Sequence, residues 1–273
     1  MSANDAAVIE KLKSEKLETG VLSKYPYSAE EWQVRLDLAA AYRLGARLGW
    51  SDLLGTHFSA RVPGTTDQFL VNPYGLFFEE ITASSLLKVN LAGDLLSESE
   101  YGTNYAAEVI HGGVYAARPD VNAIFHLHSV PGLAVAATKD GLLPLSQNAI
   151  ILGGRLKYYD YTGVKLDREA CAVMAAALED ANILILRNHG TLVVGRTIGE
   201  AFAFTARTEK ACQVQVAAQS LNTPLLHVAP EHVKKAEEFG RSLYTEKSWS
   251  PGARLEWAAF KRKIDREDPG YAV

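Results

Sequence analysis

The sequence predicts an α/β fold in which a mixed central β-sheet lies between helical layers. Segments with helical periodicity alternate along the chain with short apolar runs of strand type, as in 104–118, 121–127 and 131–138. In addition, 48% of the 273 residues are apolar and 22% are charged, a globular composition with enough apolar side chains for a core. These two observations together favour one layered domain with extensions.

The first predicted helix begins after a polar N-terminal stretch. Residues 1–27 have mixed charge and no regular apolar pattern, and we expect them to form a loosely attached arm. Ser28 and Glu31 then have the Ser-x-x-Glu spacing of a capping box, which predicts a helix that begins here and ends near Leu48. We place the beginning of the main domain, 28–222, at this capping box.

A β-rich stretch follows this helix. Alternating or apolar runs bounded by turn residues predict strands at 57–62, 68–72 and 86–91. The turn residues are Pro63-Gly64, Pro73-Tyr74-Gly75 and Ala92-Gly93. The last of these predicts a hairpin between the third strand and the segment after Asp94.

The rest of the sequence predicts helices that alternate with strands. Helices are expected at 104–118, 131–138, 167–180 and 198–221, and strands at 121–127, 183–186 and 191–194. After Pro224 the composition changes, and two charged helices, 230–246 and 251–266, are expected to form a C-terminal extension, 223–273. Trp257 and Phe260 share one face of the last helix, so the extension is expected to pack on the body or on a neighbouring subunit.

Charge and cysteine content restrict the classes of partner and compartment. The net charge is −4, the isoelectric point is about 6.0 and the 28 Lys and Arg residues are scattered, which argues against a nucleic-acid partner. No run approaches the roughly 20 apolar residues that span a bilayer, and no secretory signal is recognised, so a cytoplasmic protein without a membrane partner is expected. Cys171 and Cys212 lie in helical segments and are expected to be buried thiols.

Three histidines form a candidate metal site. His126 and His128 are two apart in a predicted strand, so their side chains leave one face about 6.6–7 Å apart along it. Such a pair can share an ion, but it can equally face solvent or cap a helix. His189 follows the apolar strand 183–186, and Gly190 lets the backbone turn so that the ring looks back across the sheet. A third neutral imidazole completes a divalent-metal site with an open position for water or substrate.

The other histidines give weaker signals. His111 lies on the helix before the His126 pair and could be a core residue, a support for a ligand or an alternative ligand. His57 follows Gly55-Thr56 at the beginning of a strand. His227 and His232 lie in the C-terminal extension, and no role is assigned to them.

The stretch from about Glu30 to Leu221 resembles the class II aldolase/adducin family. The resemblance is carried by 117–129, which reads ARPDVNAIFHLHS, by His189-Gly190 and by the turn Asn72-Pro73-Tyr74-Gly75. It implies a mixed sheet between helical layers, zinc or a related ion on His126, His128 and His189, and a homotetramer with sites near subunit interfaces. Iron, manganese and cobalt also suit three imidazoles.

The chain departs from the family's sugar-phosphate aldolases where those enzymes hold the phosphate. Thr56-His57 stands at their Gly-Asn pair, Tyr74 replaces a threonine and Tyr105-Ala106 stands at their serine pair. Most hydroxyl and glycine contacts to a phosphate are therefore gone. We expect a small non-phosphorylated substrate, with the retained Gly75 among the residues that bind it.

The position of the family's catalytic glutamate is also changed. An ungapped alignment places Ala107 there, and Glu108 is one residue later, turned by about 100° on a helix. Glu108 is the candidate catalytic base if the helix start is reset by one residue, and otherwise a first-turn acid favoured by the helix dipole. The run 104–107 and the C-terminal 252–257 are similar to the adducin-like branch, although adducin itself has lost the metal ligands.

These features predict a divalent-metal-dependent lyase, aldolase-like or decarboxylating, that acts on a small hydroxy-carbonyl or keto-acid. Arg61 and Arg187 are candidates for binding a carboxylate. Five further polar residues are placed in loops that could reach the site, namely Gln147, Asn148, Tyr158, Tyr159 and Tyr161. The alternative is an adducin-like, non-enzymatic binding or scaffolding protein with a vestigial metal site. Retention of the three histidines favours the enzyme, whereas loss of the base and the phosphate contacts favours the scaffold.

Overall fold

The computed structural model describes residues 26–163 and 167–273, so most of the predicted arm, 1–25, lies outside the described residues. The helices are α1 (Ala29–Arg47), α2 (Tyr105–Ala117), α3 (Val130–Ala136), α4 (Gln147–Gly153), α5 (Arg168–Ala177), α6 (Ile198–Ser220), α7 (Pro230–Ser242) and α8 (Arg254–Glu267). The strands are β1 (His57–Arg61), β2 (Gln68–Val71), β3 (Pro73–Tyr74), β4 (Leu87–Asn90), β5 (Gly102–Thr103), β6 (Ala123–Leu127), β7 (Leu156–Tyr159), β8 (Ile183–Leu186) and β9 (Gly190–Gly195).

Seven of the strands form one sheet in the order β4-β2-β1-β6-β9-β8-β7. Neighbours pair antiparallel except β7 and β8, which are parallel, so the sheet is mixed as predicted. The short strands β3 and β5 pair separately. A single bridge between Val89 and Leu95 closes the hairpin expected around Gly93. Strand β6 therefore lies in the middle of the sheet, between β1 and β9.

Helices cover both faces of this sheet because side chains alternate along each strand. On β6, Phe125 packs in a buried cluster with residues of α1, α6 and α8. Its neighbour Ile124 packs in a second cluster with residues of α2 and α5 on the opposite face. His126 has the same parity as Ile124 and so points to the α2 and α5 side. The predicted layers of helix, sheet and helix are confirmed.

Helix α1 begins with only half of the expected capping box. The Ser28 hydroxyl accepts a hydrogen bond from the Glu31 backbone N–H, as an N-cap residue does. The Glu31 carboxylate instead binds Arg35, at 2.9 Å, and Lys88, at 2.6 Å. Arg35 is fully buried and also donates to the carbonyl of Leu86. Glu31 therefore connects α1 to the sheet rather than to its own N-terminus.

The segment between α3 and α5 differs from the sequence prediction. Gln147 and Asn148 lie in α4, and Tyr158 and Tyr159 lie in β7, so placing these four in loops was wrong; Tyr161 does lie in a loop. Helix α4 has seven residues, too few for its apolar period to show, although the Ser146 side chain caps it. In the edge strand β7 all four residues are half-buried, so no alternation marks it.

The C-terminal helices pack back on the body. Trp257 and Phe260 of α8 pack against Phe202 of α6, with ring centroids 5.5 and 4.8 Å away, so these two side chains share one face as predicted. Cys171 and Cys212 are both buried free thiols, also as predicted. In the part of the chain that the structure describes, no helix is long and apolar enough to cross a bilayer.

Candidate metal centre

The three predicted histidines meet at the end of the central strands. His126 is on β6, His128 follows that strand and His189 precedes β9, which pairs with β6. Each ring offers a nitrogen such that the three atoms all lie within 4.8 Å of one another. The ring centroids are 4.7 to 5.0 Å apart. The structure thus brings together the residues that the sequence singled out.

The turn that carries His189 depends on its neighbours. Asn188 adopts a φ of 57° and Gly190 a φ of 152°, both in the region that glycine enters most easily. A Cβ on Gly190 would overlap the carbonyl oxygen of Leu127 and would lie 3.0 Å from the His128 ring. Because Gly190 has no Cβ, β9 can approach β6 closely enough for His189 to face the other two rings.

Hydrogen bonds fix which nitrogen each of the paired rings offers. Nδ1 of His126 lies 3.0 Å from the carbonyl oxygen of Thr191. Nδ1 of His128 lies 3.2 Å from a carboxylate oxygen of Asp52. Because both partners are acceptors, both Nδ1 atoms carry the proton in the neutral rings and both Nε2 atoms carry lone pairs. A ligand histidine bonded through its other nitrogen in this way is the usual arrangement in metal sites.

The two lone pairs face each other. Nε2 of His126 and Nε2 of His128 are only 2.9 Å apart, although in these tautomers neither has a proton to share. Two acceptors at this distance repel unless a cation lies near both of them. The donor set and its arrangement therefore fit a divalent metal ion held by three imidazoles.

Burial favours the neutral form of two of the three imidazoles. It lowers the pKa of His126 well below its ordinary value, with neighbouring histidines adding to the effect. Burial, followed by the charge of His128, lowers the pKa of His189 to about 4. At neutral pH these two imidazoles are thus already deprotonated, which is the form that binds a metal.

A cavity of about 300 Å³ opens beside the three rings. Its wall is largely apolar, with Ile110 from α2, Met174 from α5 and Leu186 at the end of β8. In the sequence these side chains look like ordinary core residues on helix and strand faces. The wall therefore could not be predicted from the sequence, because only the tertiary structure shows that these side chains line a cavity beside the three histidines.

The cavity wall also includes Arg187, which the sequence offered as a carboxylate-binding candidate, and His57, to which the sequence gave no role. Arg187 lines the cavity, with Nε 3.4 Å from Asp160 and Nη1 donating to the carbonyl of Thr138. His57 lines it as well, because β1 pairs with β6 and sets His57 directly opposite His126. Burial and the charge of His111 lower the pKa of His57 well below its ordinary value.

The remaining predicted residues lie away from the histidines. Glu108 is not among the cavity-lining residues; it accepts a hydrogen bond from Thr103. Burial raises the pKa of Glu108, and the nearby charge of Arg168 opposes this. Arg61 is at the other end of β1 from His57, and its guanidinium donates to the carbonyls of Thr66, Val121 and Tyr115. Gly75 has a φ of 121° beside the Tyr101 ring, also outside the cavity wall.

Comparison with known proteins agrees with this architecture. The class II aldolase and adducin N-terminal domain matches residues 36–216. A candidate class 2 aldolase of Pseudomonas aeruginosa is 46% identical over 244 residues, which cover 89% of this chain and 93% of the relative. The crystal structure of an aldolase II superfamily protein from Pseudomonas syringae matches with a TM-score of 0.85 and 42% identity, over 91% of this chain and 98% of that one.

The adducins are relatives too. Alpha-adducin of Rattus norvegicus is 42% identical over 193 residues, which cover 70% of this chain but only 26% of the adducin. The similarity thus extends over the aldolase-like part of a much longer protein. From the domain match and the relatives of nearly equal length, the chain belongs to the class II aldolase and adducin family.

Proposed function

We propose that the protein is a divalent-metal-dependent carbon–carbon lyase that acts on a small, non-phosphorylated hydroxy-carbonyl compound or keto-acid. The observation that carries this proposal is the pair of Nε2 lone pairs of His126 and His128 that face each other at 2.9 Å, with His189 completing the set. These three residues are the proposed ligands. Retention of such a site at a cavity is what catalysis requires and what a passive scaffold does not.

Zinc is the metal we propose, with iron, manganese and cobalt as the other ions that suit three nitrogen ligands. When bound, such an ion supplies a Lewis acid that stabilises negative charge on substrate oxygens while a carbon–carbon bond breaks. The protein's own part is to hold the ligand rings in one tautomer through Thr191 and Asp52 and to shield the site beneath α2 and α5.

The cavity supports a small substrate with an apolar part. Ile110, Met174 and Leu186 offer no hydrogen bonds, whereas a phosphate needs several donors. Among the described residues of the wall, Arg187 is the Lys or Arg side chain, and it is the candidate for binding a carboxylate, since its partner Asp160 is largely exposed. Arg61 and Gly75 were predicted to bind the substrate, but neither lines this cavity. They could contact a substrate there only after a conformational change, or in the cavity of another subunit.

The position of Glu108 favours decarboxylation over aldol cleavage. In a β-keto-acid, CO₂ leaves with breakage of its bond to the α-carbon, and no proton has to be removed first. A retro-aldol cleavage needs a base for the hydroxyl proton, and Glu108 does not reach the cavity. Glu108 remains the candidate base, and Glu108→Gln tests it: a large fall in turnover supports that role, and unchanged turnover excludes it.

Metal analysis followed by a substrate screen tests the proposal. We expect one zinc or related ion per chain in the purified protein and much less in His189→Ala. His232→Ala, which changes an exposed histidine of α7, is the matched control and should keep the metal. Small β-keto-acids and hydroxy-carbonyl acids are then screened for release of CO₂ or an aldehyde, with and without a chelator. Metal content that is sub-stoichiometric and unaffected by His189→Ala would overturn the proposal.

Adducin similarity supports a second candidate, a binding or scaffolding protein with a vestigial site. This alternative predicts a protein that folds and assembles equally well when the three histidines are changed. Stoichiometric metal together with chelator-sensitive turnover excludes it.

We also propose a homotetramer in the cytoplasm. Leu53 and Val130 are 78% and 80% exposed, and they adjoin Asp52 and Ser129 beside the metal centre. Exposed apolar side chains next to a site are the kind that a second copy covers. Size-exclusion chromatography with light scattering tests the assembly, and a monomer at all concentrations would contradict it.

A further inference from the structure

Four buried polar side chains form a hydrogen-bonded chain that begins at the cavity. His57 Nδ1 is 2.9 Å from His111 Nε2, and His111 Nδ1 is 2.6 Å from the Ser59 hydroxyl. The Ser59 hydroxyl is in turn 2.8 Å from the Tyr115 hydroxyl. His57 and Ser59 are on β1, and the other two are on α2, so the chain runs between the sheet and the helix that covers it.

One nitrogen atom in this hydrogen-bonded series has no hydrogen-bond partner among the described residues. His57 Nε2 is buried and makes no hydrogen bond to any residue that the structure describes, although His57 lines the cavity beside His126. Buried polar atoms are normally paired, and an exception calls for an explanation. A ligand in the cavity is the explanation that fits the position of this atom.

Tyr115, at the end of the hydrogen-bonded series, determines the direction of the hydrogen bonds. Tyr115 is 2% exposed, and within 26–163 and 167–273 the Ser59 hydroxyl is the hydrogen-bond partner of its hydroxyl. If Ser59 donated to Tyr115, the Tyr115 proton would be buried without an acceptor, which is costly. Tyr115 therefore donates to Ser59, and Ser59, with one proton of its own, donates to His111 Nδ1.

The same reasoning fixes the protons on the two rings. Both imidazoles are fully buried among neutral hydrogen-bonding partners, so each is neutral and carries one ring proton. His111 accepts at Nδ1 and must therefore carry its proton on Nε2, which it donates to His57 Nδ1. His57 is left with its proton on Nε2, the atom without a partner.

We propose that His57 binds the substrate by donating a hydrogen bond from Nε2–H to a substrate oxygen, and that Tyr115, Ser59 and His111 are positioning residues that hold this tautomer. The inference rests on the proposed function and narrows its substrate class. A protonated Nε2 has no lone pair for a metal ion, so His57 is not a fourth ligand. It selects compounds that present an acceptor oxygen, such as a carboxylate or carbonyl, and it disfavours protonated amines, which have no lone pair to accept its hydrogen bond.

Oxalate binding to the cobalt-substituted protein tests the first half of the proposal. Oxalate is a small dicarboxylate that offers acceptor oxygens to both an ion and a donor beside it. His57→Phe keeps a ring and removes both nitrogens; it should leave the visible spectrum of bound cobalt unchanged and should raise the oxalate Kd about tenfold or more. A changed cobalt spectrum would identify His57 as a ligand, and an unchanged Kd would exclude the hydrogen bond; either result overturns the proposal.

The tautomer itself tests the second half and does not depend on how His57→Phe folds. Long-range ¹H–¹⁵N correlation in ¹⁵N-histidine-labelled protein distinguishes a proton on Nε2 from one on Nδ1. We expect Nε2–H for His57 in the zinc-loaded protein, and a mixture of tautomers with weaker oxalate binding in Tyr115→Phe. Tyr244→Phe removes the hydroxyl of another buried tyrosine, one bonded to Arg207, and should change neither. An Nδ1–H tautomer for His57, or no response to Tyr115→Phe, would overturn the proposal.

Failure of the proposed function gives a different result. In that case the wild-type protein binds no cobalt. This result would exclude both the proposed lyase function and the proposed role of His57 in binding the substrate. If cobalt and oxalate both bind and only the variants fail to respond, the metal site stands and the role of His57 is excluded.

Discussion

Gly190 and the carbonyl of Leu127 approach so closely that no side chain fits between them. A Cβ on Gly190 would overlap this oxygen, and the φ of 152° at Gly190 is one that other residues rarely adopt. Both residues adjoin candidate metal ligands, Leu127 between His126 and His128, and Gly190 directly after His189. The contact thus ties the two halves of the candidate site together through the backbone.

Gly190→Ala is therefore expected to lower the free energy of unfolding and to weaken metal binding. Overpacking alone costs about 1–3 kcal/mol, and the strained backbone adds to it. Urea denaturation and the metal content measure the two effects. Gly64→Ala is the matched control, because Gly64 has a φ of 76° but open space around it. Equal losses in both variants would show that the close contact has no importance of its own.

Zinc should stabilise the folded protein against heat. The three histidines converge only in the folded chain, so an ion that binds them favours that state. At a free concentration one hundred times Kd the gain is about 2.7 kcal/mol. Calorimetry with and without zinc measures the shift in Tm, which His126→Ala should abolish and His232→Ala should not. A shift of the same size in His126→Ala would place the ion elsewhere.

Glu31→Gln should destabilise the protein strongly. The Glu31 carboxylate is the acidic partner of the fully buried Arg35 and also binds Lys88. Removing one charge of a buried pair leaves the other uncompensated and costs about 3–5 kcal/mol. Chemical denaturation measures the loss, with Glu30→Gln on the exposed side of the same turn as the control. A loss no larger than that of the control would mean that Arg35 is stabilised by its carbonyl partners alone.

Glu209→Gln should make the protein more stable at neutral pH. Glu209 on α6 is 3% exposed, and burial raises the pKa of its carboxyl above the ordinary 4.5, against a hydrogen bond from Ser129. Below that ordinary value both the folded and the unfolded state are protonated, and the folded protein pays no penalty for the charge. As the pH rises from there through the folded pKa, the unfolded state loses its proton first and stability falls.

The neutral glutamine removes this pH-dependent loss. The difference in free energy of unfolding between Glu209→Gln and the wild type should therefore grow from about pH 4.5 upward and then level off. Denaturation of the metal-free protein at several pH values measures it, and Glu238→Gln, an exposed site on α7, is the control. A difference that does not change with pH would contradict the prediction.

Much of the fold could be predicted from the sequence because strong local signals agreed with the tertiary structure. Strand β8 was predicted at its observed bounds, since four consecutive apolar residues can be buried on both faces. Helix α2 was predicted from its helical period, and in the structure the Asn104 side chain caps it. Strand β7 gave no such signal, because it is an edge strand paired on one side only.

The convergence of the three candidate ligands could be predicted from the sequence, but their surroundings could not. His126, His128 and His189 stand next to strand and turn signals that place them at one end of a sheet. The His57 chain depends on the pairing of β1 with β6 and on the docking of α2, which are tertiary facts. Arg61 shows the limit of residue type as a guide: a guanidinium suits a carboxylate, but Arg61 lies at the opposite end of β1 from His57 and donates to backbone carbonyls there.

The candidate metal ligands and the apolar wall of the cavity belong to different layers of the fold. The imidazoles come from the sheet and its connecting turn, whereas Ile110 and Met174 come from α2 and α5. Substitutions on the two helices can therefore reshape the cavity while the imidazoles keep their places. In a fold organised in this way, substitutions that alter the space for a substrate are separated from those that would alter the candidate metal site.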